Sequence, residues 1–146
     1  MSAYRTVVVG TDGSDSSFRA VDRAAAIAGD SAKLIIASAY LPHHDDTRAA
    51  DALREESYKV SGTAPIYAIL QDAKERAHAA GAKNVEERSI VGAPVDALVK
   101  LAEDEKADLL VVGNVGLSTI AGRLLGSVPA NVSRRAKVDV LIVHTT

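Results

Sequence analysis

The stretch "ADLLVVGNVG", residues 107–116, decides the fold. Leu109 through Val112 are aliphatic without a break, and Gly113 ends the run. A strand with one wet face alternates apolar and polar residues, so an unbroken run needs cover on both faces. That pattern fits a central strand of a parallel sheet with helices above and below it. Upstream, Pro94 opens a helix, where its missing N–H costs little, and Val95, Leu98, Val99 and Ala102 form the apolar face. Downstream, Val128, Val132 and Ala136 make a short helical stripe before a closing strand, "VDVLIVHTT".

The remaining segments extend the same alternation. A first strand covers Tyr4 to Val9, and "TDGSDSS" then turns into a helix carrying Phe18, Val21, Ala25 and Ala28. Gly29 is placed to end that helix. "KLIIASAY", residues 33–40, is a second buried strand, and the polar stretch after it reads as a loop. A helix resumes at Pro65 with Ile66, Ile69, Leu70, Ala73 and Ala77 on one stripe, stopping at Gly81. "NVEERSIVG" alternates more, as a strand near a sheet edge does. Five strands alternating with four helices predict one α/β domain over residues 1–146. Its expected form is an open five-stranded parallel sheet of order 3-2-1-4-5, with helices on both faces. In such sheets ligands bind at the crevice where the winding reverses, here between strands 1 and 4. The glycine-bearing turns "GTDGS" and "GNVG" both fall at that crevice.

Composition bounds the function. The chain is 47% hydrophobic and 25% charged, within the globular range, and has no cysteine for disulfides, thiolate catalysis or zinc–thiolate sites. A net charge of -2 gives no bulk attraction to nucleic acid or to an anionic membrane. The N-terminus enters a strand directly, and no apolar run approaches the roughly 20 residues of a membrane span. A soluble cytoplasmic domain is expected. His43, His44, Asp45 and Asp46 are metal-ligand types. Adjacent loop residues cannot all converge on one ion, so a solvated loop is the expectation and no metal is assigned. Position after the second strand leaves open that residues 43–64 cover the crevice as a lid.

With the strands placed, the spacing Gly113-x2-Gly116-x9-Gly126-Ser127, together with Asp12 in "VVVGTDGSDSS", resembles the nucleotide-binding signature of the universal stress protein family. The resemblance runs the length of the chain, including "VGAPVDALVKLAEDEKADLLVVG", and is closest to the small single-domain actinobacterial members. It implies an adenine-nucleotide pocket; no general base, metal site or cationic clamp for phosphoryl transfer is evident in the sequence, so no catalytic residue and no required cofactor is expected. Gly10, Thr11 and Asp12 match positions lining adenine and ribose, and a carboxylate at Asp12 suits a ribose hydroxyl. Ala39 matches a position whose backbone holds the adenine edge, while Val112 and Gly113 end the fourth strand at the pocket. Gly116, Gly126, Ser127 and Val128 match the phosphate-facing loop, where bare amides at a helix N-terminus attract an anion.

Two departures narrow the ligand. Val115 stands where ATP-binding members usually have Arg or His, and Pro129 where they commonly have a hydroxyl. Charge-assisted contacts are the strong ones for phosphate, so a triphosphate loses most by these changes. The expected ligand is therefore cyclic AMP, ahead of AMP and ATP, for a protein acting as a nucleotide sensor or reservoir. Rival readings are a weak ATPase, a ligand-free dimeric scaffold, glycines serving only turns, and Asp12 acting only as a helix N-cap. The apolar edge strand, Val138 to Val143, predicts a homodimer, as is frequent in the family. Asp139 stands where relatives commonly have proline.

Overall fold

The computed structural model describes residues 4–40, 63–113, 132 and 134–144. In chain order the elements are β1 (Thr6–Gly10), α1 (Asp15–Ala28), β2 (Lys33–Tyr40), α2 (Thr63–Ala79), β3 (Asn84–Val91), α3 (Pro94–Asp104), β4 (Leu109–Gly113) and β5 (Asp139–Val143). Of the stripe expected before β5, Val132 is helical, Ala136 follows directly after the helical Arg134 and Arg135 and is not itself helical, and Val128 lies outside the described residues. Five strands form one sheet of order β3-β2-β1-β4-β5, every pairing parallel, as expected.

Side-chain alternation along the strands builds two cores. Val7, Val9, Leu34, Ile36, Leu109, Val111 and Val143 point to one face, against Ala20, Val21, Ala24 and Ala25 of α1 and Leu70 and Ala73 of α2. Val8, Ile35, Ala37, Leu110 and Val112 point to the other, against Leu98, Leu101 and Ala102 of α3 and Val132. Period-2 alternation on a sheet covered twice is why β4 reads as an unbroken aliphatic run. The alanine-rich inner stripe of α1 lets its backbone approach the sheet closely.

β1 begins at Thr6, later than the expected Tyr4. The two residues before it are engaged elsewhere. Asp108, just ahead of β4, accepts the N–H of Arg5 at 3.2 and 3.0 Å and of Thr6 at 3.0 Å. Tyr4 donates its hydroxyl to Asp139 at 3.0 Å, tying the residues before β1 to the start of β5. α2 starts at Thr63, two residues ahead of the expected Pro65, and ends at Ala79. Arg76 on α2 pairs with Asp22 on α1 at 2.7 Å and lies over the Phe18 ring at 5.2 Å, joining the two helices across their exposed seam.

Candidate functional site

Strand lengths create a notch at the C-terminal end of β1. The β1–β2 ladder ends at Gly10↔Ala37, whereas β2 and β3 remain paired as far as Tyr40↔Val91. On the other side β1 and β4 part at Val9↔Val111, while β4 and β5 continue to Gly113↔Val143. β2 and β4 therefore stand as two walls beyond the point where β1 turns away. Backbone direction follows from the ladder, since residues two apart point their N–H and C=O to the same side. The Thr11 N–H donates to the Ala37 carbonyl at 2.9 Å, so the backbone groups of Ala39 face the β1 side, past its end. The Asp108 N–H donates to the Thr6 carbonyl at 3.0 Å, and the same alternation turns Val112 toward β1 and Gly113 toward β5. Ala39 and Val112 thus present backbone polar groups from opposite walls.

The floor is the turn from β1 into α1. Thr11 is buried at 1% exposure, with its side chain turned in beneath the turn and not into the notch. Its hydroxyl lies 2.7 Å from that of Ser17 and accepts the Gly13 N–H at 3.1 Å. Ser17, fully buried, accepts the Asp12 N–H at 3.3 Å and donates to the Ser14 carbonyl at 3.0 Å. Its single proton being used there, Thr11 is the donor in the hydroxyl pair. Every hydroxyl in this cluster is satisfied within the turn. Ser17 is the residue that reading the sequence misses. At the third helical position it looks like a surface serine, and only its burial under Thr11 reveals its part in the floor.

Asp12 is different. Its Oδ1 accepts the Ser14 N–H at 2.9 Å, closing a tight local loop. Its Oδ2 is buried and has no hydrogen-bond partner among the described residues. The cap of α1 is Ser14, whose side chain accepts the Ser17 N–H at 3.1 Å, so the rival reading of Asp12 as the N-cap is corrected. A capping residue lies one position before the helix, and Asp15 is the first helical residue. Gly13 makes the geometry possible with a φ of 87°, and a β-carbon there would meet Ile69 Cγ1 at 2.8 Å. Buried polar atoms are almost always paired, because an unpaired one costs free energy. Among the described residues this oxygen has no donor, and it belongs to the turn that forms the floor of the notch.

Of the expected site residues, Gly10, Thr11, Asp12, Ala39, Val112 and Gly113 are brought together around this notch. Gly116, Gly126, Ser127 and Val128 lie outside the described residues, as do Val115, Pro129 and the His43–Asp46 cluster. Among the described residues no group of three His, Cys, Asp or Glu could hold a metal ion, and no helix is long and apolar enough to cross a membrane.

The profile of the Universal stress protein family matches residues 3–144. This chain belongs to the universal stress protein family. It is 87% identical over 146 residues to universal stress protein Rv1636 of Mycobacterium tuberculosis H37Rv, covering 100% of both chains. It is similar to a universal stress protein whose crystal structure is in complex with cAMP. That likeness has 67% identity and a TM-score of 0.77, covering 99% of this chain and 100% of that one. The universal stress protein UspA of Lactobacillus plantarum shares the fold at 21% identity and a TM-score of 0.80, with 98% of this chain and 99% of that one covered.

Proposed function

We propose that this universal stress protein binds an adenine mononucleotide in the notch beyond β1, cAMP ahead of AMP and ATP, as a non-catalytic nucleotide sensor or reservoir. The observation that carries the reading is the buried Oδ2 of Asp12, an acceptor with no donor among the described residues, at the switch point of the sheet. The cAMP complex of a 67% identical relative supports the same ligand class. Ala39 and Val112 offer backbone donors and acceptors for a base held between the walls. Gly116, Gly126, Ser127 and Val128 supply amides for a phosphate, and Val115 and Pro129 withhold the cation and the hydroxyl that a triphosphate would use. Calorimetric titration with cAMP, AMP and ATP tests the order. Tightest binding by cAMP is expected, and tighter binding by ATP overturns the preference.

The same proposal places residues 1–146 in one cytoplasmic domain that pairs with a second copy through Val138 to Val143. The two sheet edges support this choice of interface. β3 carries charge: Glu86 pairs with Lys33 at 3.2 Å and Arg88 at 2.6 Å, and Arg88 reaches Glu105 at 3.9 Å. The Arg88 and Lys33 partners hold the Glu86 carboxyl below its usual range. The exposed apolar residue of β3, Val91 at 59%, is confined to its last position, whereas β5 leaves Ile142 41% exposed within the strand, with Val140 and Leu141 half-buried beside it. Charged edges resist pairing and apolar edges invite it. Ile142→Lys is expected to convert a dimer into a folded monomer in analytical ultracentrifugation. A wild-type chain that sediments as a monomer at tens of micromolar overturns the dimer.

A further inference from the structure

Four successive amides of the turn after β1 each meet an acceptor inside the protein. The N–H groups of Thr11, Asp12, Gly13 and Ser14 donate in turn to the Ala37 carbonyl, the Ser17 hydroxyl, the Thr11 hydroxyl and Asp12 Oδ1, at 2.9, 3.3, 3.1 and 2.9 Å. Two of these acceptors are hydroxyls, and the two bond each other at 2.7 Å. Ser17 passes its own proton to the Ser14 carbonyl at 3.0 Å. A hydroxyl has one proton and two lone pairs, so Ser17 is saturated, accepting from Asp12 and Thr11 and donating to Ser14. Both side chains are buried beneath the turn, facing away from the notch. On the reading that the notch takes an adenine nucleotide, we propose that Thr11 and Ser17 are positioning residues. Their paired hydroxyls set nucleotide affinity by fixing the turn that carries Asp12, without touching the ligand.

The pair bridges two rigid anchors. Thr11 is tied to β2 through its N–H, and Ser17 lies in the first turn of α1, its own N–H bonded to the Ser14 hydroxyl at 3.1 Å. Between the anchors, three backbone groups depend on the two hydroxyls: the N–H of Asp12, the N–H of Gly13 and the carbonyl of Ser14. Gly13, at a φ of 87°, has the freest backbone of any residue type, so bonds from its neighbours must hold the turn in one shape. A site ordered before the ligand arrives loses less affinity to ordering. Removing either hydroxyl leaves a buried N–H without its acceptor, which favours turn conformations that carry Asp12 out of place.

Titration of cAMP into the full chain and its variants tests the role. Thr11→Val keeps the shape and loses the hydroxyl, and should weaken cAMP by about tenfold or more. Thr11→Ser restores the hydroxyl and should bind within about threefold of the wild type. Ser17→Ala should lose affinity on the scale of Thr11→Val, and the double variant less than the product of the two, because each breaks the same relay. If Thr11→Val does not fold, Ser17→Ala set against Thr11→Ser decides. Amide hydrogen exchange in the ligand-free chain gives a second readout. The Asp12 and Gly13 N–H groups should exchange about tenfold faster in Thr11→Val and at near wild-type rates in Thr11→Ser. Asp108→Ala, at the other end of β1, separates positioning from stability, since it should destabilise the fold and leave cAMP affinity unchanged. Wild-type affinity in Thr11→Val, or an equal loss in Thr11→Ser or Asp108→Ala, overturns the positioning role and leaves the nucleotide site standing. A wild type that binds none of cAMP, AMP and ATP overturns the nucleotide reading, and the positioning role with it.

Discussion

Asp108 and Asp12 stand at opposite ends of β1, Asp108 beside its first residue and Asp12 two positions past its last. Both carboxylates lie in short connections and both accept backbone N–H groups. At the entry, both oxygens of Asp108 are occupied by Arg5 and Thr6. At the exit, Asp12 spends one oxygen on Ser14 and keeps the other buried and, among the described residues, unpaired. The same side chain is a staple in one place and, on the proposed reading, a receptor in the other. What separates them is geometry: β1, β2 and β4 meet at the entry, while at the exit β1 stops short of its neighbours. In an open parallel sheet that asymmetry marks where a ligand fits.

The contrast is broken most severely at Gly13. Gly13→Ala forces an L side chain to a φ of 87° and brings its β-carbon to 2.8 Å from Ile69 Cγ1. The left-handed backbone costs about 1–2 kcal/mol, and displacing Ile69 adds about 1 kcal/mol, so a loss of about 2–3 kcal/mol is expected in urea unfolding. Nucleotide affinity should fall as well, because the Ser14 amide that positions Asp12 moves with the turn. Adding Ile69→Ala should recover the packing part and not the backbone part, giving a coupling of about 1 kcal/mol in a double-mutant cycle. Unchanged nucleotide affinity in a destabilised Gly13→Ala chain would show that the turn does not set the position of Asp12.

Much of this was legible in the residues. "KLIIASAY" and "ADLLVVG" announce buried parallel strands because both faces of each are covered, and the sheet order follows from connections that have few alternatives. The turn at the switch point could be singled out from its glycines, and Asp12 within it from the family resemblance. Its division into one committed oxygen and one unpaired among the described residues could not, since that depends on a Ser14 amide folded back by the φ of Gly13. The late start of β1 was equally hidden, because the carboxylate that holds Arg5 and Thr6 comes from a residue over a hundred positions away. Ser17 was hidden for a third reason: a hydroxyl satisfied inside a hydroxyl cluster can be buried, and composition alone reads it as surface.

A smaller substitution at the entry end sharpens the comparison. Asp108→Ala removes the acceptor for two backbone N–H groups, and an expected loss of about 1–2 kcal/mol reflects charged hydrogen bonds at a partly exposed site. The loss should carry a pH signature. Burial pushes the Asp108 carboxyl up, but the Arg5 and Thr6 N–H groups, helped by the Arg5 charge, together outweigh burial and leave the carboxyl below its ordinary value. A carboxyl depressed in the folded state stabilises fully above its unfolded value, about 3.9, and that stability is lost as pH falls through the folded value. The gap between wild type and Asp108→Ala should therefore be widest near neutrality and narrow from about pH 4 downward. Affinity for cAMP at neutral pH should not change, since no oxygen of Asp108 faces the notch. A variant that binds cAMP markedly less well while folding normally would mean that the two ends of β1 are coupled, and that the division between staple and receptor is wrong.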